Sequence, residues 1–136
     1  MAEGLSHIIR SQARNGDLRG LKAHEGTDPQ THQQFIDDTM LMGQPSVQEA
    51  HSFKKILNLF ARVSGLAVNT KNIRSFFMNT TPIVQRNIVR ILGFSQGVMP
   101  SKYLGTPLGV GVLKKSSWQE LLDRMKQRLS SLFFRL

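Results

Sequence analysis

The sequence predicts an α+β fold, and three features predict it. Apolar residues recur at helical spacing in several stretches, most clearly after Ser46. Two short runs, 31–36 and 39–42, flank Asp37-Asp38 as the strands of a hairpin flank a two-residue turn. The order of elements mixes helices with this hairpin instead of segregating into one class.

Taken in order, residues 2–13 read as a helix with Ala2, Leu5, Ile8 and Ile9 on one face, stopped by Asn15-Gly16. Residues 17–30 are polar and rich in turn formers, and the hairpin follows. Ser46-Val47-Gln48-Glu49 is a capping box, in which hydroxyl and carboxylate satisfy orphan amides of the first helical turn. Ala50, Phe53, Ile56, Leu57, Phe60 and Val63 form the apolar stripe of that helix, and Gly65 ends it. Strands are expected at 66–69 and 73–78, with a turn over 70–72. Thr81 caps the next helix with Pro82 at its first position; Val84, Ile88 and Ile91 line its buried face and Gly93 stops it. Residues 94–113 are rich in Gly and Pro, with strand candidates near Tyr103-Leu104 and over 110–113. Ser117-Trp118-Gln119-Glu120 reads as a second capping box. The helix after it is expected to bury Trp118, Leu121, Leu122, Met125, Leu129 and Leu132, and to show Arg124, Lys126, Gln127 and Arg128 on its other face.

The chain has 18 Lys/Arg against 9 Asp/Glu, a net charge of +9. Such an excess points to an acidic partner, nucleic acid first. The charge is uneven. Residues 1–70 hold seven basic and seven acidic residues, while 71–136 set eleven Lys/Arg against Glu120 and Asp123. The second half is therefore the expected phosphate-contacting surface. There is no cysteine, which excludes disulfides and thiolate metal sites. No apolar run reaches the roughly 20 residues of a membrane span, and the N-terminus shows no signal-peptide pattern. An intracellular, soluble protein without a membrane partner is expected.

The one dense acidic site is Phe35-Ile36-Asp37-Asp38. Two adjacent carboxylates at a hairpin apex offer hard oxygen ligands of the kind Mg²⁺ takes. By spacing alone an ordinary turn is the commoner reading, because Asp bonds local backbone amides. The histidines His7, His24, His32 and His51 have no metal-ligand spacing and read as surface or satisfied residues. Gly105, Gly109 and Gly111 match no phosphate-loop fingerprint.

The stretch Thr31-His32-Gln33-Gln34-Phe35-Ile36-Asp37-Asp38-Thr39-Met40-Leu41-Met42 resembles the F-A-D-D box and flanking strands of plant LINE-type (non-LTR) reverse transcriptases. Four further blocks resemble that family in the same order. Ala2-Glu3-Gly4-Leu5-Ser6 looks like the helix after its template-gripping segment. The run from Phe60 through Ser64-Gly65 to Asn69 looks like its next helix-to-strand junction. Tyr103-Leu104-Gly105-Thr106-Pro107-Leu108 looks like the segment that grips the primer, and Trp118 with the basic helix after it resembles the start of the thumb.

The resemblance implies a partial reverse-transcriptase palm over residues 1–113, with short antiparallel strands and a catalytic-type hairpin packed on helices, then the start of a thumb-like helix over 114–136. It implies catalytic and Mg²⁺-binding roles for Asp37 and Asp38. It implies contacts to an RNA–DNA primer–template by Lys102, Tyr103, Gly105, Lys114, Lys115, Arg124, Lys126 and Arg128. The sequence departs from the family at Ile36, where Ala is usual, and at Asn72-Ile73, where Lys-Ser is common. The family's other metal-binding aspartate, its template loop and its fingers lie upstream of residue 1. The expectation is a fragment of an RNA-directed DNA polymerase that is catalytically incomplete alone. Two other readings stand beside it: a basic nucleic-acid-binding remnant without catalysis, and a non-functional pseudogene or assembly remnant.

Overall fold

The computed structural model describes residues 2–109 and 111–133, with side chains from 3–109 and 111–130. The chain forms two compact units, Met1–Gln96 and Gly97–Leu136. Within the second of these units, the hairpin after Gly97 packs on the C-terminal helix.

In the first unit, α1 (Ala2–Arg14) is followed by strands β1 (His32–Phe35) and β2 (Asp38–Leu41). Helix α2 (Val47–Ser64) comes next, then β3 (Arg74–Ser75), α3 (Pro82–Leu92) and β4 (Ser95–Gln96). Helix α2 is central and packs against both α1 and α3. The core is built from Leu5 and Ile9 of α1, Leu18, Ala50, Phe53, Ile56 and Leu57 of α2, Ile88 and Leu92 of α3, and Phe94. Helical periodicity picks out these residues apart from Leu92, which is buried in α3 where Val84 and Ile91 are only partly so, and Leu18 and Phe94, which lie just outside helices. Val63, expected in the stripe, is 75% exposed.

Ser46 and Gly65 cap α2 as expected: the Ser46 hydroxyl accepts from the Glu49 amide at 3.1 Å, and Gly65 takes a left-handed φ of 72°. The Glu49 carboxylate does not return to its own cap. It is buried, and it accepts from the backbone amides of Arg19 and Gln44. Gln44 in turn donates from its side chain to the Gly20 carbonyl at 2.9 Å. One carboxylate thus pins the loop after α1 and the β2–α2 connection to the first turn of α2. Gly43 must lack a side chain here, because a Cβ would fall on that carboxylate and within 2.7 Å of the Phe53 ring. At the far end, Lys54 donates to the Leu92 carbonyl at 3.1 Å, a cation on the C-terminus of α3.

Several expectations need correction. Residues 66–69 form no strand, and the strand expected over 73–78 shrinks to β3, which pairs in parallel with β4. The turn between them is a single 3₁₀ turn, Thr70–Asn72, in which the Asn69 side chain accepts from the Lys71 amide. Thr81 occupies the cap position of α3 without a side-chain hydrogen bond. Among the described residues the strands form three separate pairs, so the fold is α+β without one continuous sheet.

The second unit consists of β5 (Ser101–Tyr103), β6 (Thr106–Leu108) and helix α4 (Lys115–Phe133). No strand forms over 111–113; Val110 lies outside the described residues. Helix α4 begins two residues ahead of the expected cap, so Ser117 is already helical and its capping box does not form. Trp118, Leu122, Met125 and Leu129 are exposed instead of buried, and only Leu121 is half-buried. The side chain of Leu132 lies outside those described. All fully buried apolar side chains among the described residues belong to the first unit.

Candidate functional site

Strands β1 and β2 pair His32 with Leu41, Gln33 with Met40, Gln34 with Thr39 and Phe35 with Asp38. That register fixes the turn at Ile36-Asp37, one residue earlier than expected. Asp38 is the first residue of β2 and not the second residue of the turn. A two-residue hairpin turn follows the twist of its strands best in the primed types, which need positive φ at the first central position. Ile36 supplies it with φ 52°. For a β-branched residue this conformation is strained, at a cost on the order of 1–3 kcal/mol. Glycine or asparagine would take it easily. Asp37 and Asp38 are both exposed, and so are Phe35 and Ile36, at 55% and 79%. The tip thus carries two carboxylates beside two apolar side chains that it does not bury.

The chemistry of Mg²⁺ tests this pair. An octahedral ion can be held by one or two carboxylates with substrate phosphates. A pair of ions a few ångströms apart needs carboxylates converging from more than one element to bridge them. Here both carboxylates come from consecutive residues of one hairpin. Among the described residues no group of three or more His, Asp or Glu side chains converges. The residues present do not complete a two-ion centre.

The expected nucleic-acid residues divide into three sets. Lys102 and Arg124 are tied up within the second unit. The Lys102 ammonium pairs with the Glu120 carboxylate, and Arg124 Nη2 lies 3.7 Å from Glu120 and donates to the Gly105 carbonyl at 3.0 Å. The Lys102 hydrogen bond and charge hold the Glu120 carboxyl below its ordinary value. Both pairs are exposed, and exposed pairs are weak enough to be exchanged for phosphate. Tyr103 and Gly105 play local roles. The Tyr103 hydroxyl is enclosed, with no hydrogen-bond partner among the described residues. Gly105 is a turn residue at φ 78° on which the Arg124 guanidinium rests.

Lys114, Lys115, Lys126 and Arg128 are exposed. They do not form one stripe. At 100° per residue, Lys126 lies roughly 160° around α4 from Arg124, which faces the β5–β6 hairpin. Arg128 follows Arg124 on that hairpin-facing side, while Lys115 and Lys126 border the exposed apolar residues.

Leu104, placed in a strand by its apolar character, is the first central residue of the β5–β6 turn. It has φ 52° and Gly105 follows at 78°. Two positive φ values define the turn type that favours Asn-Gly. Leu104→Asn is therefore expected to stabilise the chain by about 1 kcal/mol, visible as a higher thermal midpoint. An unchanged or lower midpoint would show that Leu104 packs in a way its exposure does not suggest.

One cluster escaped sequence reasoning. His32, at the start of β1, shares hydrogen bonds with Ser6 Oγ of α1 at 2.6 Å through Nε2 and with Thr31 Oγ1 at 3.0 Å through Nδ1. Ser6 and His32 stand 26 positions apart, so no local spacing announces the pair. The other histidines stay at the surface, as expected. No protein-family model and no solved structure matches the chain, so the site is read from its own geometry.

Proposed function

We propose that the chain is the carboxylate-hairpin part of the palm, with the start of the thumb, of a plant-type non-LTR retroelement reverse transcriptase, and that residues 1–136 alone do not polymerise DNA. The observation that supports this reading most is the turn at Ile36-Asp37. It leaves Asp37 and Asp38 exposed side by side at the end of a two-stranded antiparallel hairpin. The ordered resemblance of five sequence blocks agrees with it.

Catalytic incompleteness follows from the ligand set. Asp37 and Asp38 stand without a third converging carboxylate or histidine among the described residues. Primer extension on an RNA template with Mg²⁺ is the direct test, and no incorporation above background is expected. Extension that disappears in Asp37→Ala would overturn the incompleteness.

A second reading, nucleic-acid binding without catalysis, is favoured by the second unit. Residues 97–136 carry seven Lys/Arg against Glu120 and Asp123. Phosphate contacts of this kind are sequence-independent and weaken with salt. Lys126→Glu combined with Arg128→Glu is expected to lower affinity for an RNA–DNA duplex about tenfold or more at low salt, and to flatten the salt dependence by about one to two ions. Equal affinity of variant and parent at every salt concentration would sink the binding reading.

A further inference from the structure

We propose that the cleft between α1 and β1 is a phosphate-binding site, formed by Arg10 and Ser6 of α1 with Thr31, His32 and Gln34. The cleft has a volume of about 420 Å³ and is lined by polar groups, among which Arg10 is the one formally charged side chain. No carboxylate lines it. Arg10 is exposed and makes no ion pair among the described residues. A guanidinium, two hydroxyls, an imidazole and a carboxamide converging without an acid are a donor set for a phosphate's oxygens. The cleft lies at the end of β1 away from the carboxylate turn, so it stands whether or not Asp37 and Asp38 ever served a polymerase.

The hydrogen bonds at His32 give the site a proton-linked mechanism. A neutral imidazole has one donor and one acceptor nitrogen. One of the two hydroxyls, Ser6 or Thr31, must then donate to the ring, and the other accepts from it. When the ring takes a proton, both nitrogens donate, the hydroxyl that had donated to the ring turns acceptor, and both hydroxyl hydrogens are then free for another acceptor. An anion in the cleft can accept those hydrogens and offset the new imidazolium charge. Phosphate binding is therefore coupled to proton uptake at His32. Without an anion, burial first and the Arg10 charge second hold the His32 pKa below the ordinary imidazole value. The other charged or titratable groups at this face are Glu3 and His7, which line a neighbouring groove that shares Ser6, Arg10 and Gln34 with the cleft. The sign of the linkage follows. The unfolded chain takes the proton first, so stability falls as pH drops below the ordinary imidazole range, and phosphate should offset that loss.

The test is ¹H–¹⁵N NMR of the four imidazoles across pH 5–8, on the full chain at fixed ionic strength with chloride, inorganic phosphate or a ten-residue oligothymidylate. With phosphate, the His32 midpoint is expected to rise by about half a unit or more, while His24 and His51 stay in place. Arg10→Gln should abolish that shift and weaken phosphate binding about tenfold in calorimetry. A His32 response to the oligonucleotide alone would assign the site to backbone phosphodiesters, and a response to inorganic phosphate would assign it to a free phosphate group. A His32 midpoint that moves with neither, or moves equally in Arg10→Gln, would overturn the proposal. The wild-type titration decides the matter even if the variant fails to fold.

Discussion

Glu49→Ala is expected to cost about 2–4 kcal/mol of stability, because the substitution leaves two part-buried amides without their charged acceptor at once. The Glu49 carboxylate accepts from the Arg19 and Gln44 amides, and both amides belong to loops with no ladder partner at those positions. Hydrogen bonds to an ionised acceptor are worth more than neutral ones, about 1.5–3 kcal/mol each. The carboxylate also sits in the first turn of α2, where the helix dipole favours it. Glu49→Gln separates the contributions. A carboxamide keeps one carbonyl oxygen for one amide but sets its NH₂ against the other, so the loss should be nearly as large as for Ala. Chemical denaturation of the three chains measures it. A loss below about 0.5 kcal/mol in both variants would mean that water satisfies the loop amides and that Glu49 is no staple.

This residue also shows how sequence reasoning reaches a position and misses its job. Ser46 and Glu49 mark the start of α2 correctly, since a capping box is a local signal. The destination of the Glu49 carboxylate is not local. It depends on loops at Arg19 and Gln44, brought in by the packing of α1 and β2 around α2. The same contrast holds elsewhere. Helices α1, α2 and α3 were legible because apolar periodicity and Gly65 or Gly93 lie within the segments they describe. The strands over 66–69 and 73–78 were not, because an apolar run states only that residues want burial. Val68, Ile73 and Phe77 obtain it by packing on the helical core, with just a two-residue ladder formed.

The candidate site was legible in composition and inexact in register. Asp37-Asp38 lies at the hairpin end, but the pairing of Phe35 with Asp38 puts Ile36 in the turn and strains it. A two-residue loop shifted by one leaves both carboxylates exposed, so their neighbourhood survives the error. The basic surface fared differently. Charge counting identified the second half but could not know that Glu120 would engage Lys102 and Arg124. The Ser6–His32–Thr31 chain was invisible, because only the docking of α1 on β1 brings Ser6 to the imidazole.

The core should respond as strongly as the staple. Ile56→Ala is expected to lower stability by about 3–4 kcal/mol. Ile56 is 1% exposed on the face of α2 that joins α1 to α3. Truncation removes three carbons' worth of transfer free energy and leaves a void that three helices close only in part. Phe53 is a poorer probe, because its ring lies close beside Gly43 and backbone there can shift into the space. At roughly 4–8 °C per kcal/mol for a unit of this size, the thermal midpoint should drop by more than about 12 °C. Val63→Ala, on the exposed last turn of the same helix, should stay within about 0.5 kcal/mol. Equal effects at the two positions would mean that α2 does not bury the face its periodicity and its neighbours assign to it. The carboxylate hairpin and the His32 cleft would then lose the scaffold on which both readings stand.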